Sequence, residues 1–268
     1  MIMKKKQSEK DIYEDELLTE EKPKKKGGKA VVIISVIVAF VIVIALLAFF
    51  VLFFCNVKKA DISGNSILVE EELRADIFAD DYDKNAVILC LKNRFMPRHD
   101  IPFVESMDIT MTDLNTVKIK IKEKEITGYI KGSDKNRIYY NSEGIVQEIS
   151  RVKVKGVPKV EAEGEIGEAV VGSELPIREK SRRELLALQR ELSNNEISVT
   201  RIHITEEGNF ILTYKNISIR FGTSAYTTEK AMRLKYILPK VKKKSGILHL
   251  EDWSEGNTDI VFELTDES

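Results

Sequence analysis

Apolar and polar positions fall into unlike regimes along this chain. Residues 30–54 read AVVIISVIVAFVIVIALLAFFVLFF, 25 residues with no charge and one weakly polar side chain, Ser35. As a helix this run would be about 37 Å long, enough to cross a hydrocarbon core of about 30 Å with some tilt. A helix buried in a soluble core rarely runs so far without a polar residue. The run ends Phe53-Phe54-Cys55, bulky where a signal-cleavage or lipoprotein site needs small residues. It is therefore expected to persist as an anchor.

Beyond the anchor the period changes. The stretch 57–124 reads as strand, helix, helix, strand, strand. Residues 57–63 form a short strand closed by the turn pair Gly64-Asn65. Leu68, Leu73, Ile77 and Phe78 recur at near-helical spacing. Glu70, Glu71 and Glu72 occupy that helix's first turn, where its dipole favours anions. Ala86 to Phe95 is a second helix, stopped by Pro97. Met107, Ile109 and Met111 alternate with Asp108, Thr110 and Thr112; Val117, Ile119 and Ile121 alternate with Lys118, Lys120 and Lys122. Strict period two predicts a sheet with one packed and one solvated face. The order βααββ places both helices on one face of it.

Residues 125–250 are richer in strands, predicted over 126–131, 137–140, 145–149, 197–205, 210–214 and 217–221, with turn residues between them. A helix over 178–192 carries Leu185, Leu188 and Leu192 on one side. A second, from 227 to about 244 with Thr227 or Thr228 as cap, turns Ala231, Leu234, Leu238 and Val241 inward. The last strands are 247–250 and 259–264, the latter within a C-terminal strand and tail, 251–268. The fold class is α+β: an N-terminal membrane helix, a small βααββ domain, and a mixed β domain with two packed helices.

The charge balance hides a division. The 268 residues hold 42 Lys+Arg and 43 Asp+Glu, a net charge of -1. No basic excess exists to neutralise phosphates, which argues against a nucleic-acid partner. Residues 1–29 carry nine Lys and seven acidic residues, net +2; the remaining 33 basic and 36 acidic residues give net -3. Lys22, Lys24, Lys25, Lys26 and Lys29 precede the span, and only Lys58 and Lys59 follow it closely. The tail 1–29 is thus expected in the cytoplasm and the rest outside, in a single pass of the cell membrane. Its Lys run suits topology and anionic headgroups.

Catalytic chemistry is hard to find. Two Cys exclude a disulfide-stapled scaffold and a four-thiolate zinc site. His99, His203 and His249 are too scattered to bind a metal together or orient a nucleophile. Asp81-Tyr82-Asp83-Lys84-Asn85 begins like a calcium loop, but Ala86 stands where Gly is needed and Lys92 where Glu is needed. No catalytic, cofactor or metal residue is assigned. Cys90, in the run Ile88-Leu89-Cys90-Leu91, reads as a small buried side chain, with a Cys55–Cys90 bridge as the alternative. Binding is what remains. An open strand edge offers unpaired N–H and C=O groups to an incoming strand. Leu248, His249, Leu250, Glu251, Asp252 and Trp253 are the candidate recognition strand. Arg233 and Lys235, on the basic last helix, are a second candidate surface.

Four segments in order carry a resemblance: ADISGNSILVEEEL directly after the span, TVKIKIKEKEITGYI followed by IYYNSEGIVQEIS, VPKVEAEGEIGEAV, and ISIRFGTSAYTTEKAMRLKYIL followed by GILHLEDW. Behind a short tail and one span, the set resembles the FtsQ/DivIB cell-division family, in its Lys-rich Gram-positive DivIB branch. One departure is Asn141 where the family often has Asp; both suit a turn. The resemblance implies that 57–124 is a POTRA domain and that the protein is a non-enzymatic divisome factor enriched at the septum. It implies that the end of the β domain engages the FtsL and DivIC/FtsB ectodomains and so regulates septal peptidoglycan synthesis. The alternatives are a membrane-anchored envelope hydrolase or transpeptidase, and a POTRA-type chaperone or translocation module.

Overall fold

The computed structural model describes residues 28–98 and 100–265. The expectations for the tail before Gly28, for His99 and for residues 266–268 lie outside these. The described chain divides into two compact units, one ending at Cys55 and one beginning at Asn56.

The first unit is helix α1, Gly28–Phe54. Its apolar side chains surround the axis evenly, and none of its most apolar stretch is covered by protein. A helix apolar on all sides needs an apolar surrounding. α1 is long and apolar enough to cross a membrane.

The second unit opens with β1, Lys59–Ser63, helix α2, Glu70–Ile77, a 3-10 turn at Asp81–Lys84, helix α3, Ala86–Phe95, and the hairpin β2, Val104–Asp113, with β3, Thr116–Glu123. The sheet order is β1-β3-β2, with β3 parallel to β1 and antiparallel to β2. Leu73 and Ile77 of α2 and Ala86 and Leu89 of α3 share a core with Ala60, Ile109, Val117, Ile119 and Ile121. Alternation therefore put the expected βααββ core where it stands. The bounds of α3 agree with the expectation. Its start is set by Asn85, whose side chain accepts the N–H groups of Val87 and Ile88 at 3.1 and 3.2 Å. Gly64 has φ +92°, and a Cβ there would lie 2.2 Å from the Ile121 carbonyl oxygen. Only glycine lets the turn pass that close to β3. The calcium-like segment instead buries Asp83, which pairs with Lys92 at 2.8 Å.

The rest forms a nine-stranded sheet. Its strands are β4 Gly128–Lys131, β5 Arg137–Tyr140, β6 Val146–Ser150, β7 Lys159–Ala162, β8 Arg201–Ile204, β9 Phe210–Tyr214, β10 Ile217–Gly222, β11 Gly246–His249 and β12 Val261–Leu264. They run in the order β12-β11-β10-β9-β8-β7-β4-β5-β6. Helices α4, Glu179–Asn194, and α5, Thr227–Val241, cross over between the parallel pairs β7–β8 and β10–β11. Parallel neighbours require such a crossover. Leu185, Leu188 and Leu192 of α4 and Leu234 and Leu238 of α5 bury the inward row of the sheet, including Ile130, Val160, Ile202, Leu212, Ile219 and Leu248.

Several expected bounds move. The strand expected from 197 begins at Arg201, because Glu196 is left-handed (φ 59°) and the N–H of Ile197 bonds back to Leu192 to close α4. Neither Thr227 nor Thr228 caps α5. The cap position is Tyr226, at φ 56°, and the Thr227 hydroxyl donates to the Ser224 carbonyl at 2.6 Å. The strand β7 has no counterpart among the strands expected from the sequence. Both thiols are free, so the alternative of a Cys55–Cys90 bridge does not hold.

The two sheets of this unit meet around Phe103 and Tyr139, whose rings stand edge-on at 5.0 Å, with Tyr129 and Val154 beside them. Phe103 is fully buried in a left-handed conformation, φ 62°.

Candidate partner-binding surface

The surface of interest is built by β10, α5, β11 and β12. Ile217, Ile219 and Phe221 alternate into the core, which fixes the face of β10. The ladder with β9 then shifts between Arg220 and Gly222. Gly222 sits at φ +75°, and a Cβ there would meet the Cα of Glu251 at 2.8 Å. The bulge thus admits the chain leaving β11 against the end of β10, where the N–H of Leu250 donates to the Arg220 carbonyl at 2.9 Å.

β12 pairs antiparallel with β11, Leu248 opposite Phe262 and His249 opposite Val261. Gly246 permits that pairing: a Cβ there would lie 2.2 Å from the Glu263 carbonyl oxygen. β12 is therefore an edge strand of the nine-stranded sheet. Its side chains Val261 and Leu264 are 59% and 62% exposed. The opposite edge, β6, is partly covered. Val146 exchanges backbone hydrogen bonds with Gly172 and Ser173, and Ile145 bridges Glu174.

Charged groups gather where α5 meets the chain after β11. Lys230 is 1% exposed. Its ammonium donates to the carbonyls of Phe221 at 2.9 Å and Thr223 at 3.5 Å and lies 5.2 Å from the Phe221 ring centre. Burial lowers its pKa, and the nearby carboxylates of Glu251 and Asp252 counter part of that shift. Glu251 Oε1 bonds His249 Nδ1 at 2.8 Å, and His249 Nε2 lies 3.4 Å from Glu263 Oε2 on β12. The His249 pKa is raised, first by the hydrogen bond to Glu251, with burial and Arg220 opposing. Two buried polar atoms here, Glu251 Oε2 and Trp253 Nε1, make no hydrogen bond within the described residues. The Trp253 ring packs edge-on against Tyr226 at 5.5 Å and under the Arg233 guanidinium at 5.8 Å.

The expected site residues scatter accordingly. The strand through them ends at His249, and it lies between β10 and β12 instead of at an edge. This corrects the reading of 248–253 as an open recognition strand: the partner strand β12 already occupies that edge. Leu248 and Leu250 face the core at 1% exposure, and Trp253 is buried at 6%. Asp252 is exposed, and His249 and Glu251 are half-buried. Arg233 and Lys235 are exposed on α5. The structure joins Arg233 to Trp253 and places His249 beside Glu251. It adds Val261, Glu263, Leu264, Tyr226 and Lys230, which spacing does not single out. Strand order, the quantity that reveals an edge, is absent from hydrophobic alternation.

A scan against protein-family models gives no match to the chain. A search of curated proteins likewise finds none that matches.

Proposed function

We propose that this chain is a membrane-anchored, non-enzymatic assembly factor of the FtsQ/DivIB type, and that a partner ectodomain adds a strand to β12. In this reading α1 crosses the cell membrane once with the tail 1–29 inside. The β1–β3 region is a POTRA domain, and the nine-stranded sheet is the β domain. The partners are the FtsL and DivIC/FtsB ectodomains, held at the division septum so that septal peptidoglycan synthesis is regulated through them.

The observation that carries the reading is the edge position of β12 in the nine-stranded sheet, with Val261 and Leu264 exposed on it. An edge strand supplies affinity through main-chain hydrogen bonds, and neighbouring side chains supply selection. Arg233 and Lys235, exposed on α5, suit an acidic segment of the partner. Glu263 and Asp252 suit basic residues on it. The ordered motifs behind one apolar span support the same assignment.

The decisive measurement is capture of purified DivIC ectodomain by the full chain in detergent, compared with a chain truncated after Thr258, which lacks β12. Capture is expected to fall at least tenfold. Undiminished capture by the truncated chain overturns β12 as the site. In cells, depletion is expected to give filaments, and a fluorescent fusion spread evenly over the envelope would count against a septal role.

A further inference from the structure

Helix α3 is apolar on two sides. Its sequence begins Ala86-Val87-Ile88-Leu89-Cys90-Leu91. One side, Ala86 and Leu89, is buried against the first sheet. The other carries Val87, Ile88, Leu91 and Phe95 at helical spacing; Val87 and Ile88 at its start are half-buried, and the described residues leave Leu91 and Phe95 exposed. Leu91 is 51% exposed and Phe95 74%, and Met96 just past the helix is 70% exposed. Tyr82, in the turn before α3, is 71% exposed. Single exposed apolar residues are ordinary on a soluble domain; a contiguous set on one helix face marks an interaction surface.

The chain itself names the occupant. Asn85, the capping residue of α3, bridges Asn56, and the N–H of Val57 donates to the Lys84 carbonyl at 2.7 Å. Asn56 is only two residues past Phe54, the last residue of α1. Two residues of extended chain reach about 7 Å at most. The start of α3 is thereby tied to the point where the chain leaves the apolar span. The composition of the face fits an interfacial helix: Leu, Phe and Met with Arg94 on the flank and an aromatic phenol at one end.

We propose that this face of α3 rests on the bilayer, with Leu91, Phe95 and Met96 entering the boundary between headgroups and acyl chains. The inference rests on α1 spanning a membrane but not on the identity of any divisome partner. The membrane-proximal sheet is then held at the lipid surface at two places, α1 and α3.

The test uses the full chain in nanodiscs of phosphatidylcholine and phosphatidylglycerol. Nitroxide labels are placed by Leu91→Cys, Phe95→Cys and, as a control on α5, Tyr236→Cys, in a chain with Cys55→Ser and Cys90→Ser. Access to oxygen relative to a water-soluble nickel chelate is expected to rise several-fold at 91 and 95 over 236. Equal ratios at all three positions overturn the proposal. Loss of access to both reagents at 91 and 95 also overturns it, because that signals a protein cover instead of lipid. A second measurement needs no change at cysteine. Hydrogen exchange over 82–96 in nanodiscs is expected to speed up at least tenfold in the doubly substituted L91E/F95E chain, both sites being solvent-exposed in the fold. Unchanged exchange overturns the proposal. Failure of the chain to enter nanodiscs at all would instead strike at the reading of α1.

Discussion

The His249 ring joins Glu251, after β11, to Glu263 on β12, and its backbone lies in register with Arg220 on β10. Its raised pKa has a definite consequence for stability. The folded state holds the proton more tightly than the unfolded chain, so the contribution is fully present below the ordinary histidine value of about 6.5. It is lost as pH rises through the folded value. The thermal stability of the wild type is therefore expected to fall from pH 6 to pH 8, as measured by circular dichroism. His249→Gln is expected to flatten that part of the profile. Glu123 is a comparable case with the opposite charge. Burial raises its pKa, but the Ser66 hydroxyl and the backbone N–H groups of Leu68, Ser66 and Ile67 outweigh it and hold it low. It ties the turn after β1 to the end of β3, and no spacing rule points to it.

At the scale of elements, β12 depends on the absence of one side chain. Gly246→Ala puts a Cβ into the Glu263 backbone, which is not free to move as a side chain would be. The variant is expected to lose about 1–3 kcal/mol in chemical denaturation and, under the proposed function, to capture less DivIC ectodomain. Equal stability and equal capture would show that β12 can shift without cost. The same elements show what the sequence made legible. α3 was readable to the residue, since an apolar run begins at Ala86 and Pro97 follows it. The β2–β3 hairpin was readable because apolar and polar residues alternate over 107–112 and 116–122. β7 was not: it is four residues long, KVEA, with a single fully buried side chain, Val160. Yet β7 joins β4 to β8 with parallel pairing on both sides. Leu248 and Trp253 were legible as important but not as core residues, because an apolar residue near a strand end suits either role.

Across the whole molecule, the unit from Asn56 onward holds two sheets in one body. The joint is specific. Glu148 on β6 accepts from Lys124 Nζ at 2.8 Å and from the Phe103 N–H at 3.2 Å, and the Tyr139 hydroxyl donates to the Val152 carbonyl at 2.6 Å. Lys124 and Glu148 are each less than a fifth exposed. Glu148→Ala leaves a partly buried ammonium and a backbone N–H without their acceptor, at a cost of about 2 kcal/mol. Wild type is expected to unfold in one calorimetric transition outside the membrane, and the variant in a broader or split one. An unchanged single transition would mean that the apolar contacts of Phe103 alone couple the sheets.

The free thiol of Cys90 acquires meaning from its place on α3. Burial, and then the nearby Asp108 carboxylate, push its pKa above the ordinary thiol value. The thiolate is the reactive form, so Cys90 stays protonated and slow toward oxidants and alkylating agents. A compartment that oxidises exposed thiols would leave it alone while α3 keeps its seat. Alkylation of this half-buried thiol is thus expected to be slower than that of a cysteine placed at an exposed position of the same chain.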